Sequence, residues 1–397
     1  MLTLGSSLEA QGQALPIDSH EESNYSHGNR EATGEIPQCR LSFALRFGMN
    51  LPRAYRLLVL TLLIVFNAGI VHSKETSEKA ALVNLGERLF FDLQFSADGK
   101  TSCRTCHQPE HAFQDGLTVA RGVGGVIGTR NTPSLFNVGN QLHLFWDGRS
   151  ESLEAQARIP FVTKKEHGLP SLDVVVATMR KDAKYVAQFF RAFRVSRDSI
   201  EIKHVVGALA AFQRTLISLP SPFERYLATG DAKDVSEAAK RGFIVFRGVA
   251  GCSNCHVISD RALQLTDHEF HGVALVSTEL GSKLAALVTR VNKMTMEEIS
   301  LAIPEDTDLA SLGRFLVTKN PKDIGKFKTP SLINVAVTAP YMHDGSVATL
   351  SEAIDREIYY RGAELNRPIV LTVEEKRDLQ AFMESLTTPP WQPTQNK

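Results

Sequence analysis

Apolar positions recur at helical spacing through most of the chain. Leu82, Leu85, Leu89 and Phe90 fall on one face, and Val205, Leu209, Phe212, Leu216 and Leu219 fall on another, so each set predicts an amphipathic helix. Pro220 and Pro222 stop the second, and a new helix starts near Asp234 to Glu237 and runs through Phe243 and Phe246. The stretch 279–305, with Leu284, Leu287, Val288 and Val291 on one side, reads as a further amphipathic helix. A local core helix is preferred there over a partner surface. Period-2 alternation is scarce. The pattern predicts a mostly α fold.

Leu57 to Val71 is an apolar run of a different kind, preceded by Arg53 and Arg56 and followed by Ser73. It is too short to span a bilayer comfortably and resembles a signal peptide. Residues 1–48 are polar and show no hydrophobic period. A translation start at Met49 gives residues 49–73 a normal basic leader and leaves 1–48 upstream of it. The alternative is an uncleaved membrane anchor with a polar tail. Lys plus Arg and Asp plus Glu balance at 44 each, and the charges are dispersed. That excludes an electrostatic case for nucleic acid or an anionic membrane surface.

Cys103, Cys106 and His107, and again Cys252, Cys255 and His256, form two C-x-x-C-H motifs. With five cysteines and twelve histidines in 397 residues, the motif arises by chance at ~5 × 10⁻⁶ per position, so two accidents are not credible. A zinc site or a pair of disulfides also uses paired cysteines, but neither gains from a histidine beside the second cysteine. Two thioethers plus a proximal imidazole are what a covalent c-type haem requires. The chain is therefore expected to carry two such haems and to be exported. Cys39 has no partner motif and is assigned no role. Each half of the exported part holds one motif, which places a boundary near residue 230 between cytochrome c-like domains at 74–230 and 231–397.

Over residues 80–370 the chain resembles the bacterial di-haem cytochrome c peroxidase superfamily, which includes the MauG enzymes. The resemblance rests on both C-x-x-C-H motifs with Leu89-Phe-Phe-Asp92, Asn131-Thr-Pro-Ser-Leu-Phe-Asn137, Phe145-Trp-Asp-Gly-Arg149, Thr329-Pro-Ser-Leu332 and Ala339-Pro-Tyr-Met-His-Asp-Gly345, in that order. It implies two haem domains packed together, with peroxide chemistry in the first.

Counting on from Trp146, the family's glutamine, proline and glutamate fall on Gln156, Pro160 and Glu166. The resemblance makes Glu166 the acid/base, with Gln156 orienting peroxide and Pro160 limiting approach to the iron. Without that register, Glu166 reads as a solvated charge beside Lys164 and Lys165. Trp146, more often a core residue by type, becomes a hole carrier between the haems. A histidine 16 residues after the proximal one blocks the first iron in peroxidases that need reductive activation; here that position is Val123, so the first haem is expected to be open. His111 reads as surface or propionate-side.

For the second iron the family places a methionine or tyrosine 14 residues after the histidine of the Pro-Tyr-x-His motif. His343 plus 14 is Glu357, while Tyr359-Tyr-Arg-Gly362 resembles the segment around the MauG tyrosine, displaced by two. Tyr359 is the expected ligand, Tyr360 the alternative, and simple packing of both against the haem edge a third reading. Met342 is not at the ligand position. Asn131, with the backbone oxygens of Thr338 and Pro340, matches the family's calcium ligands, and all-oxygen ligation suits that ion. His343 and His271 read as propionate or outer partners.

Three functions follow from the resemblance. The leading one is a periplasmic peroxidase reducing hydrogen peroxide with electrons from a small cytochrome or copper protein. The second is a MauG-like oxidase of an unidentified protein substrate, although Ala250 stands where MauG has its surface tryptophan. The third is a non-enzymatic electron-transfer cytochrome, for which Glu166 and Gln156 have no use.

Overall fold

A helix over 76–91 opens the described part of the chain, with Leu85, Leu89 and Phe90 buried and Leu82 partly buried against the same core. The second predicted stripe forms the helix Ile202–Gln213, where Val205, Leu209 and Phe212 are buried, with Leu216 buried just beyond its end. Leu219 departs from the expected face. It lies past the helix end and is 57% exposed. This computed structural model describes residues 76–258, 264–272 and 278–392, so Cys39, Met49 and the apolar run 57–71 lie outside the described residues.

Pro222 does not merely stop a helix. It occupies the first turn of another, Pro222–Thr229, where its missing N–H costs nothing. Ser221 caps this helix by accepting from Glu224 N–H, and Glu224 Oε2 accepts from Ser221 N–H. The helix Glu237–Arg247 then begins after the cap Ser236. It packs on Val373–Glu384 so closely that a Cβ on Gly242 would stand 1.9 Å from Asp378 O. Arg241 fastens the same pair through two 2.7 Å bonds to Asp378.

The expected single helix over 279–305 is broken. Thr295 caps a second helix, so the segment folds as Thr278–Asn292 and Met296–Ala302, followed by a short 3-10 turn Ile303–Glu305. Its apolar face is local core, as expected: Leu287, Val291, Ile299, Ile303 and Phe315 are buried together. The only sheet among the described residues pairs Phe270–Gly272 antiparallel with Lys326–Lys328, His271 opposite Phe327. Apolar side chains gather in three clusters, drawn from residues 85–216, 223–386 and 280–316. The fold is mostly helical, and no described helix is long and apolar enough to cross a membrane.

Candidate active site

The first motif lies on a single helical turn, Cys103–Cys106, stiffened where Ser102 N–H donates to Thr105 Oγ1 at 2.9 Å. The chain leaves that turn at His107, whose N–H bonds Cys103 O and whose Nδ1 meets Phe113 O at 3.0 Å. An Nδ1–H committed to a carbonyl turns Nε2 outward as the free ligand atom. The second motif repeats the device in a tighter form. Gly251, in the left-handed region at φ 66°, admits the 3-10 turn Cys252–Asn254, and His256 Nδ1 meets Leu265 O at 2.8 Å. Burial holds both imidazoles below their ordinary pKa, hence neutral and ready to bind metal, and pushes the Cys103, Cys106 and Cys252 thiols up to about 12.

Both motifs open into one cavity of about 470 Å³. Its wall carries buried polar atoms with no protein partner among the described residues, including Glu166 Oε2, His343 Nδ1 and the Nε atoms of Arg130 and Arg149. Buried groups of this kind are rare in a native protein unless a ligand satisfies them. Two imidazoles, four cysteines and unpaired cationic donors suited to carboxylates fit a pair of covalent haems with their propionates.

Glu166 ends a turn whose geometry is fixed from both sides. Its N–H bonds Thr163 O at 3.0 Å, and its carbonyl accepts from Val123 N–H at 2.8 Å. Gly122 lets the two strands touch, since a Cβ there would stand 1.9 Å from Lys165 O. Burial raises the carboxyl's pKa, with the Arg149 charge and a bond to Thr163 opposing it. Gln156, at the end of Leu153–Gln156, and Pro160, within Arg158–Val162, line the same cavity. Trp146 also lines it. Its indole donates to Asn131 O at 2.9 Å while its carbonyl accepts from Lys328 N–H at 2.8 Å, so it is tied to both halves of the chain.

Residues 80–233 match the family described as di-haem cytochrome c peroxidase. The methylamine utilization protein MauG of Methylorubrum extorquens is 36% identical over 329 residues, covering 81% of this chain and 82% of that protein. The chain belongs to the di-haem cytochrome c peroxidase family. Cytochrome-c peroxidase IdrP1 of Pseudomonas sp. is 31% identical, over 85% of this chain and 92% of that one. Among solved structures, a MauG-like protein associated with microbial copper homeostasis aligns with TM-score 0.64 and 33% identity over 78% of this chain and 89% of that one. The diheme peroxidase BthA of Burkholderia thailandensis aligns with TM-score 0.60 and 25% identity over 79% of this chain and 88% of that one. Members of this family are haem-dependent oxidoreductases, cytochrome c peroxidases or MauG enzymes, with two c-type haems.

One expected ligand does not reach the cavity of this di-haem enzyme. On the helix Leu350–Glu364, the face that lines the cavity consists of Leu350, Ala353, Ile354, Glu357, Ile358 and Arg361. Tyr359 is 66% exposed, and Tyr360 packs on it at 5.6 Å rather than lining the cavity. Successive helical residues turn by about 100°, so the two-residue displacement between 357 and 359 exchanges the inner face for the outer. Glu357 takes the inward place, its pKa raised by burial and its Oε2 3.7 Å from Arg361 Nε.

The remaining candidates fall as follows. Asn131, Thr338 and Pro340 line the cavity together; Asn131 Nδ2 donates to Leu117 O at 2.9 Å, which orients the amide. His343 stacks on Phe327 at 3.6 Å, and burial, aided by the Arg130 charge, drives its pKa down to about 4. His271 Nε2 pairs with Asp267 at 2.7 Å, and these two gather with Cys255, already committed to haem attachment. His111 is exposed. Sequence reasoning passed over the Arg130 and Arg149 pair on the fully buried Asp147, at 3.5 and 2.8 Å. Arg149 was visible at the end of a matched motif, but only its neighbours' packing shows that it faces the cavity.

Proposed function

We propose that this enzyme reduces hydrogen peroxide at the first haem, with electrons relayed through the second from a small cytochrome or copper protein. The supporting observation is Glu166: a half-buried residue whose Oε2 is buried and unpartnered, lining the cavity that both attachment motifs share, alongside Gln156 and Pro160. A haem held by Cys103, Cys106 and His107 would supply the redox iron and the electrons that reduce the O–O bond. Glu166 would take a proton from one peroxide oxygen and deliver it to the other, which leaves as water. Gln156 holds peroxide in line, and Pro160 keeps bulk away from it. Trp146 carries charge between the two sites. Asn131, Thr338 and Pro340 hold a calcium ion through oxygen atoms.

The same reading takes 74–230 and 231–397 as two cytochrome c-like domains packed on each other, exported to the periplasm by residues 49–73 or anchored there if that leader is retained. Val123, at the position of the blocking histidine, means that no prior half-reduction is needed. Mixing fully oxidised protein with hydrogen peroxide in a stopped-flow spectrophotometer should change the Soret absorbance directly; a resting spectrum of two six-coordinate low-spin haems and no reaction would overturn the proposal.

A MauG-like oxidation of a protein substrate is the second reading, favoured by the 36% identity to MauG and by Val123. Catalytic consumption of peroxide with a reduced small cytochrome as donor would favour the first reading over it.

A further inference from the structure

The segment 278–318 builds its own hydrophobic cluster, yet its inner edge does not stay with the half of the chain from which it comes. The turn Ile303–Glu305 reaches back to residues 129–165. Thr129 Oγ1 donates to Ile303 O at 2.8 Å in a buried bond across 174 residues, and Arg130 donates to Ala310 O. Met296–Ala302 packs against Arg158–Val162, the helix that contains Pro160. Glu305 reaches Lys165, the residue before Glu166, at 3.8 Å. Ile303 and Pro304 are both buried, and both line the cavity with Glu166.

We propose that the turn Ile303–Glu305 is the ceiling of the peroxide pocket and restricts it to small hydroperoxides. The proposal rests on the assignment of Glu166 as acid/base. A ceiling here has the properties size selection needs. Its two contributions to the wall are aliphatic, so they offer bulk without hydrogen bonds. Pro304 has a fixed φ, the hydrogen bond from Thr129 holds Ile303 O directly, and Arg130 holds Ala310 O in the helix that follows the turn. Pro160 supplies a second rigid aliphatic surface to the same cavity, so that bulk beside Glu166 and Gln156 would select against a hydroperoxide with a branched organic tail.

The test compares full-length, haem-loaded wild type with Ile303→Ala, Glu305→Gln and, as a control truncation on a surface 71% exposed, Ile244→Ala. Stopped-flow absorbance measures the reaction with hydrogen peroxide and with cumene hydroperoxide, and absorbance titration of the ferric protein measures imidazole against cyanide. Ile303→Ala should raise the cumene-to-hydrogen peroxide rate ratio, and the imidazole-to-cyanide affinity ratio, by about 10-fold. Glu305→Gln, which loosens the tether and leaves the wall side chains in place, should raise both by about 3-fold. Ile244→Ala should change neither.

A wild type that accepts cumene hydroperoxide as readily as hydrogen peroxide overturns the proposal, as does a loaded Ile303→Ala with unchanged ratios. If Ile303→Ala does not fold, unchanged ratios in Glu305→Gln overturn it instead. Glu166→Gln separates the two ideas. It should slow both oxidants alike, so a Glu166→Gln enzyme with unchanged rates removes the acid/base assignment, while the ratios of Ile303→Ala to wild type still decide on the ceiling.

Discussion

The two attachment sites are built alike and furnished differently. Each aims its imidazole with an Nδ1 bond to a nearby carbonyl, Phe113 O at 3.0 Å and Leu265 O at 2.8 Å. Around the first, short helices and a tight turn bring Gln156 and Glu166 inward, side chains that handle oxygen and protons. Around the second, one long helix presents Leu350, Ala353, Ile354 and Ile358, with a single Glu357–Arg361 pair. Identical anchoring thus says where a haem goes and nothing about its work. Work is set by what lines the remaining space, and on the proposed reading the apolar second wall goes with electron passage and the first with bond breaking.

The sharpest way to break this comparison is to neutralise one carboxylate at a time. Glu166→Gln should slow the reaction of ferric protein with peroxide by about 10²–10⁴-fold, whereas Glu357→Gln should leave that rate within about 3-fold. Equal losses in stopped-flow traces would erase the distinction between the sites. The pH profile sharpens it further. Because burial raises the pKa of Glu166 above 4.5, its base form is lost as pH falls through that raised value. The peroxide rate should therefore fall on an acid limb lying above pH 4.5, and Glu166→Gln should abolish that limb. A limb that persists unchanged in the variant assigns it to another group.

Gly122→Ala comes next in size. Its Cβ meets Lys165 O, so overpacking should cost about 1–3 kcal/mol in thermal or denaturant unfolding. It should also slow the peroxide reaction by moving Glu166, without altering the absorbance of the second haem. A stable variant with normal kinetics would show that the turn yields freely. Smallest of all is Tyr359→Phe. With the ring 66% exposed, stability should stay within about 0.5 kcal/mol, and the spectrum of the second haem should not move. A shifted low-spin signal would return Tyr359 to the iron.

These contrasts follow how the sequence could be read. Haem attachment is a local property, because five consecutive residues carry it whatever surrounds them. Glu166 needed a longer ruler, the register from Trp146; by sequence alone its neighbours, Lys164 and Lys165, make it read as a solvated charge. Tyr359 lies on the outer face of its helix for a geometric reason. A ligand assigned by counting along a helix is only as good as its phase, and two residues suffice to turn it outward. The turn Ile303–Glu305 carried no signal at all, since its closeness to Lys165 is made by packing between residues some 140 positions apart in sequence. Helical stripes were legible wherever burial had one side, while Leu219 and the break at Thr295 show the limit of periodicity at helix ends.

The shared cavity also bears on how such a protein comes into being. Its lining is drawn from residues as far apart in sequence as Phe90 and Met383, so the wall exists only once the chain has folded, whereas each C-x-x-C-H motif is complete in five residues. A haem attached at a motif would therefore give distant segments one common surface to close around, and its binding would stabilise the folded chain over the unfolded one.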